Sequence, residues 1–267
     1  MAKLFIHTSN HKIKRWIHRH KFVRSIRATD VFLVTYPKSG TMWVGFLLAN
    51  IMHGMQSPSL NLRTYLKYIP DINALYYGNG DLSEYANTPD PRFFSAHAPY
   101  DPAFPRVLYV VRDPRDVLVS YWHHTRLVKP SFAISFEEFI LSDDQWPGLW
   151  HEHVEGWALR KHARVFVMKY EDLLADTILA TKKMLEFLNY PVDEQVILHA
   201  VEMSKFDRMK SLEQEYGSGQ FEESLKGFVR KGQRGSWRDE IGPNSLAVLE
   251  KKFGAVMRAV GYEMASK

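Results

Sequence analysis

The chain has 267 residues, of which 45% are hydrophobic and 24% are charged, which is typical of a globular protein with a full hydrophobic core. It contains no cysteine, which excludes disulfides, thiolate metal sites and cysteine nucleophiles. Its net charge of +5 favours anionic partners such as nucleotides, nucleic acid or acidic membrane. No apolar run approaches the roughly 20 residues of a transmembrane helix, and the N-terminus lacks a signal-peptide pattern, so we expect a cytoplasmic protein.

Residues 1–30 form a basic N-terminal segment in which lysine and arginine alternate with apolar residues. Read as a helix, the segment places Ile13, Trp16, Ile17 and His20 on one face. Such a helix can lie on a membrane surface or on nucleic acid. We favour the other interpretation, in which its apolar face packs on the core of the same chain.

The stretch from Val31 to Gly54 predicts a strand, a tight turn and a helix. Val31 to Tyr36 is a short run of β-branched and aromatic residues, and apolar residues recur at helical spacing from Thr41 onward until Gly54, the expected C-cap. Lys38, Ser39, Gly40 and Thr41 fall at the turn, where free N–H groups and the helix dipole favour an anion. The alternative is an ordinary turn with a solvated lysine. It is not a Walker A loop, because no glycine opens it and the lysine precedes its only glycine.

A long connection, Gln56 to Asp90, carries several turn signals and little regular pattern, and such connections are often functional. A second strand, Arg92 to Ala96, follows it and ends at His97. From the residues alone, a single histidine at a strand end is more often structural than catalytic. The long connection contains five tyrosines that either pack at a partly wet surface or wall a pocket: Tyr65, Tyr68, Tyr76, Tyr77 and Tyr85.

Val107 to Val111 predicts a buried third strand, followed by a helix with Asp113 as N-cap and Pro114 at its first position. Arg112 at the strand tip and Ser120 on the helix are expected on one side of the carboxyl edge of the sheet, where open α/β sheets bind ligands. Four further residues that could border a pocket follow on this helix: Trp122, His123, His124 and Arg126.

The remaining sequence predicts a fourth strand, Arg164 to Tyr170, a long helix from Glu171, and a final helix, Pro243 to Gly261. The composition of Glu215 to Gly235 indicates a mobile loop. Its basic pair either closes as a lid over a phosphate or forms a solvated charged turn, and the residues alone favour the turn. His151, Glu152 and His153 do not make a convincing metal site, because on a helix His153 points away from His151. Strands that alternate with helices predict a single α/β domain over residues 1–267, with a mostly parallel central sheet flanked by helices and a P-loop-like phosphate-binding turn.

Four motifs resemble those of the cytosolic-type sulfotransferases, which transfer a sulfuryl group from 3′-phosphoadenosine 5′-phosphosulfate (PAPS) to a hydroxyl or an amine. They are T-Y-P-K-S-G-T-x-W from Thr35, V-V-R-D-P-R-D-V-x-V-S-Y from Val110, S-K-F-D-R-M-K from Ser204, and R-K-G from Arg230 with Gly235-x-Trp237. They follow one another in the order that the family has.

The resemblance implies the roles of individual residues. His97 would be the general base, and Lys38 would stabilise the departing phosphate oxygen. The remaining assignments are the 5′-phosphosulfate site (Lys38, Ser39, Gly40, Thr41, Met42), the adenine site (Trp43, Tyr170, Ser204, Phe206) and the 3′-phosphate site (Arg112, Ser120, Arg230, Lys231, Gly232). No metal is required. The chain departs from the family at Met42, where a second threonine is usual, and at Ser95, where the family has a lysine.

Two other functions are open from the residues. One is a P-loop-type nucleotide kinase, which would need a glycine-rich Walker loop and Mg²⁺. The other is a non-enzymatic binder of nucleic acid or anionic lipid through the basic N-terminal segment. For the sulfotransferase we expect a small-molecule acceptor and no nucleic-acid partner. A phenol or alcohol is favoured as acceptor, and a sugar or amine is possible. The family's dimerisation segment has no counterpart in Arg238 to Glu250, so the oligomeric state is open.

Overall fold

The structure is a computed structural model that describes residues 19–56, 58–78, 80–160, 162–217, 227 and 229–265. Most of the basic N-terminal segment therefore lies outside the described residues. Its described end, residues 19–24, is helical, and the Phe22 side chain there is buried in the main core.

Four parallel strands form the central sheet of the described chain. They are β1 (Val31–Thr35), β2 (Phe93–Ala96), β3 (Val107–Val111) and β4 (Val165–Lys169), in the order β2-β1-β3-β4. The predicted single α/β domain with a parallel sheet is confirmed. From β1 the chain continues to β2 on one side, and from β3 it continues to β4 on the other side, so the topological switch point lies between the carboxyl ends of β1 and β3.

The helices pack on both faces of this sheet. In chain order they are α1 (Thr41–His53), α2 (Asn73–Tyr77), α3 (Pro114–Val128), α4 (Phe136–Leu141), α5 (Trp150–Val154), α6 (Tyr170–Ala175), α7 (Thr177–Leu188), α8 (Glu194–Met203), α9 (Phe206–Tyr216) and α10 (Pro243–Ala259). Short 3₁₀ helices span Thr64–Lys67, Ser83–Tyr85 and Ser236–Asp239, and a π-helical turn spans Glu155–Leu159.

The sheet separates two hydrophobic cores, because successive side chains of a strand point to opposite faces. In β1, Phe32 and Val34 enter one core while Val31 and Leu33 enter the other. All residues of β1, β2 and β3 are buried, which explains their continuous apolar runs.

A buried ion pair lies just before β1 and β2. The Arg92 guanidinium donates to both carboxylate oxygens of Asp30, at 2.8 and 2.6 Å. Side-chain exposure is 2% for Arg92 and 0% for Asp30.

Three sequence predictions about helices are corrected. The long helix predicted from Glu171 is broken at Asp176, whose side chain caps the N-terminus of α7 by accepting from the N–H of Leu179. Helix α9 continues to Tyr216, inside the predicted lid, of which residues 218–226 and 228 lie outside the described chain. Helix α10 ends at Ala259 rather than at Gly261.

Within the described part of the chain, no helix is both long and apolar enough to cross a membrane.

Candidate functional site

The loops at the carboxyl ends of the strands enclose one large cavity of about 1140 Å³. This exceeds the roughly 300–1,000 Å³ of a common small-molecule pocket, so it has room for a nucleotide and a second small molecule. Every site residue predicted from the sequence lines it except Ser39: Lys38, Gly40, Thr41, Met42, Trp43, His97, Arg112, Ser120, Tyr170, Ser204, Phe206, Arg230, Lys231 and Gly232. The fold thus brings together residues that are far apart in the chain.

The turn between β1 and α1 is built as an anion site. Lys38 and Gly40 both have positive φ, 69° and 108°, and the Ser39 N–H donates to the carbonyl of Tyr36. A Cβ on Gly40 would lie 2.8 Å from a ring carbon of Tyr170, so only glycine fits this approach. No side chain caps the N-terminus of α1. Its first N–H groups and the positive end of its dipole are therefore available to an anion.

Three polar atoms, one on this turn and two on residues of the cavity lining, are buried without a hydrogen-bond partner in the described chain. They are Ser39 Oγ, Arg112 Nε and Ser204 Oγ. Buried polar groups are nearly always satisfied in native structures. Their presence beside an uncapped helix fits a bound group that carries several oxygen atoms.

Lys38 lies among other cations. Burial, together with the charges of Arg112 and Arg230, lowers its pKa to about 8, while the charge of Glu213 acts in the opposite direction. A phosphate or sulfate group beside the amine would favour its charged form and reverse this shift.

Arg112 connects three segments of the site. Its guanidinium donates to the carbonyl oxygen of Lys38 at 3.1 Å and to that of Gln233 at 3.0 Å. It also stacks over the ring of Tyr170, 4.3 Å from the ring centroid. These contacts fix its position between the turn after β1 and the segment that carries Arg230.

Aromatic rings also line the cavity. Trp43 packs edge-on against Tyr170 with ring centroids 5.3 Å apart. Gly232 lies so close to Phe206 that a Cβ there would be 2.2 Å from a ring carbon. The rings offer flat surfaces of the kind on which a nucleobase stacks. Met42 also lines the cavity, where its thioether cannot supply the hydroxyl donor of a threonine.

His97 is held by contacts on three sides. Its Nδ1 donates to the carbonyl oxygen of Thr35 at 2.8 Å, which in the neutral ring leaves Nε2 as a proton acceptor. From α2, Asn73 Oδ1 accepts from the His97 N–H at 2.7 Å, and the Tyr77 hydroxyl donates to its carbonyl at 3.0 Å. Burial lowers the pKa of His97, although its bond to the Thr35 backbone and the charge of Asp71 act in the opposite direction.

Several other residues of the cavity lining were not identified from the sequence. They are Leu66, Pro70, Asp71, Asn73, Ala74, Thr125, Val128 and Trp146. Asn73 has the clearest role, because it positions His97. No local signal marks these residues, since their importance comes only from tertiary contacts.

The sequence suggested two groups of residues as borders of a pocket, and one member of each group lines the cavity. His124 lines the cavity, and burial, with smaller effects of Lys38 and His97, lowers its pKa to about 3. Trp122, His123 and Arg126 are not among the lining residues. Of the five tyrosines in the long connection, Tyr85 lines the cavity and the other four do not. Tyr65 is buried in the core. The hydroxyls of the other three contact residues elsewhere in the chain: Tyr68 contacts His53, Tyr76 contacts Asp101, and Tyr77 contacts His97.

Arg230 and Lys231 both contact a carboxylate that sequence reasoning missed. Glu240 Oε1 accepts from Arg230 at 2.6 Å and from Lys231 at 2.7 Å. Glu240 Oε2 lies 2.6 Å from His123 Nε2. Burial would raise the pKa of Glu240, but the bonds from Lys231, Arg230 and His123 outweigh it and hold the pKa at about 2. Glu240 is therefore charged at neutral pH.

Ser95, which stands where the related family has a lysine, is buried in β2 and does not line the cavity. It contributes no positive charge to the site. In the described chain, no group of three or more His, Asp or Glu side chains could hold a metal ion.

Comparison with known proteins agrees with this geometry. The family model described as a sulfotransferase domain matches residues 28–261. The chain is 29% identical to amine sulfotransferase of Oryctolagus cuniculus, with 87% of this chain and 82% of that protein covered. It is 29% identical to sulfotransferase 2A1 of Mus musculus, with 88% and 86% covered.

Solved structures share the fold at lower sequence identity. Mouse sulfotransferase SULT7A1, complexed with PAP, has a TM-score of 0.69 at 24% identity and covers 91% of this chain and 89% of its own. Retinol dehydratase in complex with androsterone and PAP has a TM-score of 0.67 at 23% identity and covers 93% and 86%.

Proposed function

The chain belongs to the sulfotransferase domain family, and from this premise we propose how its residues bind PAPS and move a sulfuryl group to an acceptor. PAPS, when bound, supplies the sulfuryl group and leaves as adenosine 3′,5′-bisphosphate (PAP). The donor half of the cavity fits this molecule, because an anion-binding turn, aromatic surfaces and a cluster of cations lie along one wall.

The donor is held at three places. Lys38, Ser39, Gly40, Thr41 and the N-terminus of α1 bind the 5′-phosphosulfate through N–H, hydroxyl and ammonium donors. Trp43, Tyr170 and Phe206 hold the adenine, with Ser204 beside it. The 3′-phosphate is bound by Arg112, Ser120, Arg230, Lys231 and the backbone at Gly232.

The chemistry needs a base for the acceptor proton and positive charge where the leaving oxygen becomes negative. His97 Nε2 takes the proton of the acceptor hydroxyl, and its bond to Thr35 keeps the ring in the required tautomer. Lys38 donates to the phosphate oxygen as its bond to sulfur breaks. Both residues line the same cavity, so acceptor and donor meet between them in a near-attack arrangement.

The acceptor half favours a small molecule with a phenol or alcohol group. Tyr85, Tyr121 and Trp146 offer apolar surface, and Asp71 and Asn73 add polar groups at the same wall. These polar groups also leave room for a sugar or an amine.

The observation that carries the proposal is the placement of His97 and the uncapped, lysine-bearing turn around one cavity. The test has two parts: sulfate transfer from PAPS to a panel of phenols, alcohols, sugars and amines, and calorimetric binding of PAP and AMP. We expect transfer to at least one acceptor class, and PAP binding at least about tenfold tighter than AMP binding, because good charge-assisted bonds to a phosphate contribute about 1.5–3 kcal/mol. Equal affinity for the two nucleotides contradicts the assigned 3′-phosphate site.

The family assignment favours this function over the nucleotide kinase and the non-enzymatic binder. A cytoplasmic location, as expected from the sequence, is part of this proposal.

A further inference from the structure

The carboxylate of Glu240 contacts both cations of the R-K-G motif. Arg230 and Lys231 both donate to its Oε1, and its other oxygen contacts His123 on α3. Since α3 also carries Ser120, which lines the cavity, Glu240 connects the segment 229–232 to the helix of another proposed 3′-phosphate ligand.

The carboxylate contacts these cations from outside the cavity. Arg230 and Lys231 line the cavity, whereas Glu240 is not among the lining residues. Each cation donates to Glu240 through a single nitrogen atom, which is Nη1 in Arg230 and Nζ in Lys231. A guanidinium has five N–H groups and an ammonium has three, so both side chains keep donors for a second anion. A phosphate can therefore bind without displacing Glu240.

We propose that Glu240 is a positioning residue for recognition of the 3′-phosphate. It holds two long, flexible cations in place before the nucleotide arrives, and it offsets their repulsion from each other and from Arg112. This inference rests on the proposed function, because it takes Arg230 and Lys231 as 3′-phosphate ligands. Without Glu240, binding of the nucleotide would itself have to order the side chains of Arg230 and Lys231. The conformational entropy lost in that step weakens the affinity for the nucleotide.

A carboxylate near a phosphate could also act in the opposite way. If Glu240 mainly competed with the nucleotide for the two cations, removal of its charge would strengthen binding. The position of Glu240 outside the cavity argues against this, and the experiment separates the two effects by their sign.

The test compares Glu240→Gln with Asp239→Asn, which removes the same charge one residue earlier at an exposed side chain. Affinities for PAP and AMP are measured by calorimetry for both variants and for the unchanged protein. We expect Glu240→Gln to weaken PAP binding by about tenfold, since two rotamer-rich side chains lose their anchor, and to leave AMP binding unchanged. Asp239→Asn should leave both affinities unchanged. With PAPS, KM should rise in Glu240→Gln while kcat at saturation stays the same.

A second variant, Glu240→Asp, keeps the charge but shortens the side chain by one methylene. If Glu240 positions the two cations, Glu240→Asp should also weaken PAP binding. If Glu240 only balances their charge, Glu240→Asp should not change PAP binding. This variant therefore decides the question even if Glu240→Gln folds poorly. An unchanged ratio of PAP to AMP affinity in both Glu240 variants, or tighter PAP binding in Glu240→Gln, overturns the inference. If the unchanged protein itself fails to distinguish PAP from AMP, the proposed 3′-phosphate site is wrong instead.

Discussion

His97 donates through Nδ1 to the backbone carbonyl oxygen of Thr35, at a distance of 2.8 Å. Thr35 is the last residue of β1, and His97 directly follows the end of β2, so the bond joins two adjacent strands at their carboxyl ends. A carbonyl cannot donate, which means that the proton is on Nδ1. The lone pair of Nε2 is therefore available for catalysis without any rearrangement of the ring.

Replacement of His97 by alanine should remove catalysis and leave donor binding intact. Loss of a general base costs on the order of 10²–10⁴ in rate, whereas no donor motif includes His97. Single-turnover sulfate transfer and PAP affinity are the measurements. His199→Ala, at a histidine that does not line the cavity, is the control. Near-normal turnover in His97→Ala would show that His97 is structural.

Replacement of Lys38 by alanine should differ from the His97 variant by affecting both quantities. On the proposed function the amine contacts the donor before and during transfer, so its loss should weaken PAP binding by about tenfold or more and lower the single-turnover rate by about 10²–10³. The same two measurements apply. A Lys38→Ala enzyme that binds PAP normally would place the amine outside the 5′ site.

Nucleotide affinity should fall as pH rises above about 8. Without nucleotide the pKa of Lys38 is about 8, below its ordinary 10.5, because of burial and neighbouring cations. Between about pH 8 and pH 10.5 the Lys38 amine is protonated in the unfolded chain but not in the folded protein. Its contribution to the free energy of unfolding therefore rises with pH over this range. A bound phosphosulfate or PAP raises the pKa again, so binding takes up a proton.

The measurement is the dissociation constant of PAP from pH 7 to 9.5. Lys38→Arg is the control, since a guanidinium stays charged throughout and should remove this part of the pH dependence. If Lys38→Arg shows the same slope as the unchanged protein, another group is responsible.

Asp30→Ala should destabilise the fold strongly. It would leave the Arg92 guanidinium buried without its carboxylate, and breaking a buried pair from one side costs about 3–5 kcal/mol. Lys182→Ala, in the exposed pair with Glu194, should change the free energy of unfolding by less than about 1 kcal/mol. Urea unfolding of both variants gives the comparison, and equal midpoints would contradict the prediction.

Most of the fold, and the grouping of the motif residues around one cavity, could be predicted from sequence because their signals are local. Runs of β-branched residues indicate the strands. Residues that directly follow parallel strands lie at the same edge of the sheet, so Lys38, His97 and Arg112 could be expected close together. The split after α6 was missed because the apolar pattern continues through it. Asp176 overrides that pattern by capping the next helix.

The missed parts of the site depend on contacts between distant residues. Asn73 lies 24 residues before His97, and Glu240 lies 117 residues after His123. No periodicity or turn signal links such pairs. Their partners become apparent only when the chain is folded, and the same holds for the acceptor wall around Trp146.

The cavity lining extends from Pro37 to Gly232, so no short piece of the chain contains the site. During synthesis from the N-terminus, the sheet and the lysine turn are complete well before Arg230 and Lys231 leave the ribosome. A nascent chain at that stage could present the 5′ part of the donor site but not the cations of the last motif. On the proposed function, selective nucleotide binding therefore begins only once the segment with Arg230 and Lys231 has been made and has joined the sheet.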